Sequence, residues 1–152
     1  MAAARVFPAR PPRHGERHQM TRIGLAPDAA ANLVETRARP AAGIALVAPA
    51  ALRTDLLADL YVRVRGGEID RAEARARLDH MRALKVRLLG DRVLQAVAWD
   101  IAEALDHADT RLAEYIAVTR LQADALVTLD EGLARDAARF VPVVPFADLG
   151  AT

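Results

Sequence analysis

Three aspartates in this chain each follow a short apolar run: Asp28 comes after RIGLA, Asp55 shortly after IALVA, and Asp130 directly after ALVTL. In an open α/β sheet, ligands gather just beyond the carboxyl ends of the strands. If the three runs are neighbouring strands, the three carboxylates share one edge of the sheet. Carboxylates crowded together repel unless a cation neutralises them. Oxygen donors select hard ions, so Mg²⁺ or Mn²⁺ is the expected cation. Such a centre suits phosphodiester hydrolysis, in which the ion activates water and offsets charge on the phosphate. Each acid also has a purely structural reading. Asp28 and Asp130 stand where helix N-caps belong, and Asp is a preferred cap. Asp55, with Asp59 one turn on, fits a polar stripe on a helix.

The elements that must position these acids are legible from periodicity and punctuation. Arg22–Ala26 reads as a strand stopped by Pro27, and Asp28 begins a helix to about Thr36. Ile44–Ala48 is a second strand, ended by Pro49. A long helix from Ala50 to Arg65 carries Leu52, Leu56, Leu60 and Val64 at i+4 steps, and Gly66-Gly67 ends it. Asp70 and Glu73 form a capping signal for a helix over Arg71–Leu84, and Val86–Leu89 is a third strand. Asp91 caps a helix whose apolar stripe is Val93, Val97, Ile101 and Leu105. Asp109 or Thr110 caps the next, through Gln122. The strand Ala125–Leu129, a helix from Asp130 to Arg139 and a strand Val141–Val144 complete the chain. Strands alternating with helices imply a mostly parallel sheet covered on both faces, a three-layer α/β/α sandwich.

The 152 residues suffice for one domain with a sizeable core, and 53% of them are apolar with only 4% aromatic, so Ala, Leu and Val must build that core. The formal charge of +1 marks no overall field for nucleic acid. Lys85 is the only lysine; the other cations are arginines, which suit phosphate contacts. The absence of cysteine excludes disulfides and thiolate chemistry. No apolar run reaches membrane-spanning length, and a soluble, cytoplasmic protein is expected. Residues 1–19, rich in Pro, Arg and His, read as a disordered tail, and Met20 as an alternative translation start. A basic arm contacting RNA is the functional alternative for that tail, and His14 and His18 stand at i, i+4 spacing within it.

The chain resembles the PIN domain superfamily, and within it the VapC-type toxins of bacterial toxin–antitoxin pairs. The resemblance spans about residues 20–149. It is strongest in AEYIAVT at 113–119 and ADALVTLD at 123–130, with LAPDAA at 25–30 and LRTDLL at 52–57 upstream. It implies a three-layer fold with a central parallel sheet and a Mg²⁺- or Mn²⁺-dependent endoribonuclease acting on RNA. It further implies a small antitoxin that blocks the site, and a toxin that forms a homodimer. Asp28, Asp55 and Asp130 fall on the acids of the family pattern as catalytic and metal-holding residues.

The chain departs from that pattern at several positions: Pro27 precedes Asp28, Ala29 and Ala30 stand where a hydroxyl residue usually follows the first acid, Asp55 stands where glutamate is common, and a further acid is missing. The family carries an acid three residues before the tyrosine matched by Tyr115, where this chain has Leu112. Asp109, one turn earlier, is a candidate substitute metal ligand and equally a helix cap. Glu114 is expected to face solvent or pair with a nearby arginine, because residues two apart on a helix do not share a face. Tyr115 reads as a packed side chain with a hydrogen-bonded hydroxyl, Thr128 as a group that can orient a carboxylate, and Trp99 as a packing or interface residue. Leu112 therefore sets an active nuclease against an alternative, a catalytically degraded PIN module that binds RNA or a protein without cleaving.

Overall fold

The computed structural model describes residues 20–152. The segment expected as a tail, residues 1–19 with His14 and His18, lies outside the described residues. The strands are β1 (Thr21–Leu25), β2 (Ile44–Pro49), β3 (Arg87–Leu89), β4 (Ala125–Val127) and β5 (Val143–Val144). The helices are α1 (Pro27–Thr36), α2 (Ala51–Arg65), α3 (Arg71–Ala83), α4 (Arg92–Leu105), α5 (Arg111–Gln122) and α6 (Glu131–Ala137), and a 3₁₀ turn covers Phe146–Leu149. All five strands are parallel, in the order β3-β2-β1-β4-β5. The central strands are near-continuous apolar runs because helices cover both of their faces.

One helical layer is α1, α2 and α3. Ala29, Ala30 and Leu33 of α1 and Leu52 of α2 pack on Ile23, Leu25, Leu46 and Val127, while Val34, Leu56 and Leu60 meet Ala74 and Leu78 of α3. The other layer is α4, α5 and α6, where Leu94, Ile101, Ile116 and Leu133 close over Leu126. Gly24 sets how near α5 lies to the sheet. A Cβ at that position would stand 1.9 Å from Thr119 Oγ1, so only glycine lets the helix seat there. Among the described residues no helix is long and apolar enough to cross a membrane.

Several boundaries differ from the sequence expectation, each for a physical reason. Pro27 occupies the start of α1 rather than stopping β1 alone; its fixed φ suits the first helical turn. Asp28 is thus inside that turn, and the N-cap is Ala26 without a side-chain bond. Leu129 is outside β4 and half exposed, because the chain bends at Leu129 ahead of α6. β5 is shorter than Val141–Val144, with Val141 buried ahead of it and Pro142 between. On α4 the buried stripe is Leu94, Ala98, Ile101 and Ala102, and Val93 is exposed. A strict i+4 row drifts about 40° per step on a 3.6-residue helix, so its ends leave the core face. Trp99 is 62% exposed, its indole N–H donating to Glu103 at 2.9 Å, so it packs on no core. The caps at Asp70 and Asp91 form as expected. Glu73 does not complete a capping box; its carboxylate takes Arg37 and Arg77 instead, tying α1 to α3.

Candidate functional site

β1 lies between β2 and β4, and the chain leaves it in both directions: outward through β2 and β3, then back across to β4 and β5. The strand order therefore reverses between β1 and β4, where a crevice opens at the carboxyl ends of a parallel sheet. Asp28 follows β1 and Asp130 follows β4, one on each side of that crevice. Asp55 sits on α2, just past β2, the other neighbour of β1.

Asp28 is the most tightly held of the three. Its Oδ1 accepts the Ala29 N–H at 2.8 Å, and its Oδ2 accepts the Leu129 N–H at 2.8 Å. The Thr128 hydroxyl reaches both oxygens, at 3.0 and 2.9 Å. The same hydroxyl accepts the backbone N–H of Asp130 at 3.1 Å, so one buried threonine joins the two sides of the crevice. The Ala26 N–H bonds the Val127 carbonyl at 3.1 Å and fixes the two strand ends together. The expectation that Thr128 orients a carboxylate is met.

Asp130 caps α6, its Oδ1 accepting the Leu133 N–H at 2.9 Å. Asp55 is half-buried, and its Oδ2 accepts the Tyr115 hydroxyl at 2.8 Å. Tyr115 is only 1% exposed. Its phenol is pushed well above the usual range by burial first, then by the bond to Asp55 and by the charges of Asp55 and Glu114. It stays protonated and donates. Asp59 pairs with Arg63 at 2.9 Å, whereas Asp55 takes the Tyr115 hydroxyl, which leaves Asp55 distinct from a simple polar stripe.

The other acids divide unexpectedly. Asp109 folds back on its own helix start, accepting the Arg111 N–H at 3.0 Å and lying 3.7 Å from its guanidinium. Leu112 is 41% exposed. Glu114, expected to point to solvent, is half-buried and lies within the field of Asp55. Burial, and then the Asp55 charge, push its carboxyl up from the ordinary range. No cation pairs with it among the described residues. No local sequence signal placed Glu114 here: the Tyr115–Asp55 bond sets how α5 faces α2, and Glu114, about 100° around the helix from Tyr115, follows from that contact. The spacing argument from Leu112 tested the wrong reference residue.

The donor set is therefore all oxygen, with Asp55 Oδ1 and Asp130 Oδ2 free of hydrogen bonds among the described residues. No three acidic or histidine side chains among the described residues are grouped to close on a single ion. Mg²⁺ keeps several waters and takes only one or two carboxylates directly, so these donors suit such an ion in kind and number. Comparison with protein-family models, curated proteins and solved structures gives no match for this chain.

Proposed function

We propose that this chain is a PIN-type endoribonuclease that depends on Mg²⁺ or Mn²⁺, acting in the cytoplasm as the VapC-like toxin of a bacterial pair. In this reading a small antitoxin blocks the site and the toxin is a homodimer. The observation that carries the proposal is the Asp28–Thr128–Asp130 linkage across the point where the strand order reverses. A linkage that only capped α6 would need Asp130 alone; it has no need to clamp the Asp28 carboxylate with two N–H groups and a hydroxyl.

Asp28, Asp55 and Asp130 would hold the divalent ion, which would supply water activation and charge neutralisation on the phosphate. The chain's own residues do the rest. Thr128 and the Leu129 N–H fix the direction of the Asp28 carboxylate. Tyr115 fixes that of Asp55 from beneath. Orientation of this kind is what lets a carboxylate site act without reorganising during the reaction.

The test is cleavage of single-stranded and hairpin RNA with Mg²⁺ or Mn²⁺. Wild-type activity is expected to disappear with chelator and to fall at least a hundredfold in Asp28→Asn. Activity that survives chelation, or an equally active mutant, sinks the proposal. The exposed Leu112 favours a second reading, a degraded module that binds without cleaving. Under that reading wild type is inactive and Leu112→Asp acquires metal-dependent cleavage.

A further inference from the structure

β3 is the outermost strand and pairs only with β2. The Leu89 carbonyl accepts the Ala50 N–H at 2.8 Å. Peptide groups on a strand alternate in direction, so those of Leu88 point to the open side of the sheet. An edge of this kind is a template for another strand. Beside it, between α2, α3 and β3, lies a groove of about 330 Å³ whose apolar floor includes Leu56, Met81 and Leu88. Its charged lining is Arg53, Arg82 and Lys85, with no acid among them. Arg82 is held by Asp79 on its own helix. Arg53 and Lys85 make no ion pair among the described residues. Lys85 also has φ of 52°, a left-handed turn that carries the chain from α3 into β3.

We propose that the β3 edge and this groove together bind an extended peptide segment of a partner protein, with one large apolar residue flanked by acidic residues two positions before and after it. Strand addition explains the period: residues two apart fall on one face, roughly 7 Å apart. The apolar side chain enters the floor beside Leu88, and the flanking carboxylates meet Arg53 and Lys85. Backbone bonds to Leu88 supply affinity, and the cationic rim supplies the choice of sequence. The proposal stands whether or not the chain cleaves RNA, since none of these residues belongs to the crevice between β1 and β4.

The experiment titrates the full chain with the capped peptide acetyl-TDTLTDT-amide, followed by ¹H–¹⁵N NMR. Saturable shifts centred on Lys85 and Leu88 are expected, with slowed hydrogen exchange of the Leu88 amide. Arg53→Glu combined with Lys85→Glu should weaken binding at least tenfold, and Lys85→Arg should preserve it. Should the double variant fail to fold by circular dichroism, Lys85→Glu alone is read the same way. Equal binding of acetyl-TKTLTKT-amide overturns the proposal, as does the absence of saturable shifts or an unchanged Leu88 exchange rate. Saturation by sodium decanoate without peptide binding also overturns it, in favour of a small amphiphile. Sedimentation showing two copies of this chain paired through β3 does so in favour of self-association.

Discussion

A carboxylate whose charged form is disfavoured leaves a mark on stability, and Glu114 is such a group. Its folded value is raised by burial and by Asp55. Where the folded value exceeds the unfolded one, the charged form destabilises the native state at higher pH, and the penalty is absent below the unfolded value. Glu114→Gln is therefore expected to raise the melting temperature at pH 7. The gain should shrink as pH falls through the raised value and vanish below the ordinary 4.5. Thermal melts across that range check it; a difference constant with pH would assign the effect to packing of the amide. At this scale the sequence was a partial guide. Asp28, Asp55 and Asp130 were recognisable because each follows an apolar run. Glu114 was not, because its placement depends on how α5 meets α2, a contact that no local spacing encodes. Asp109 was open between a ligand and a helix-start residue, and its bond to the Arg111 N–H is the local interaction its spacing implied.

Elements were more legible where a side chain serves its own helix. Asp70, Asp91 and Asp130 each accept the N–H three residues on, as their spacing from the apolar stripes implied. α1 escaped this logic because Pro27 removes one of the orphan N–H donors, and Asp28 inside the first turn, not the N-cap residue, takes the Ala29 N–H. The double position of Asp130, cap and crevice wall, allows the two roles to be separated. Asp and Asn are comparable N-caps, while alanine costs about 1 kcal/mol. Asp130→Asn should keep its stability within a few tenths of a kcal/mol of wild type in urea melts, whereas Asp130→Ala loses roughly 1 kcal/mol. Both remove the charge, so both should lose most metal-dependent RNA cleavage. Full cleavage by Asp130→Asn would reduce this aspartate to a cap. The helix after it explains why its neighbour Leu129 was misread: an apolar residue at a strand's end looks like strand until the next helix claims the turn.

For the molecule as a whole, alternation of short apolar runs with helices was enough to imply the parallel, three-layer sheet, since only such an arrangement buries both faces of the strands. Strand order was not implied, because β1 can accept neighbours on either side without changing its pattern. That order decides whether the acids share an edge, and the observed β2-β1-β4 core puts all three on one edge. An ion bound to this edge in the folded state alone would stabilise the entire domain by mass action, about 2.7 kcal/mol at a hundred times its dissociation constant. For a domain of this size each kcal/mol moves the melting temperature by roughly 2–4 °C. Mn²⁺ is therefore expected to raise the wild-type midpoint by roughly 5–10 °C, reversibly with chelator. Asp28→Asn should show little of that shift, because the carboxylate clamped by Thr128 and Leu129 is then neutral. Equal shifts in wild type and Asp28→Asn would place the ion elsewhere and separate the shared edge of the acids from any metal-dependent role.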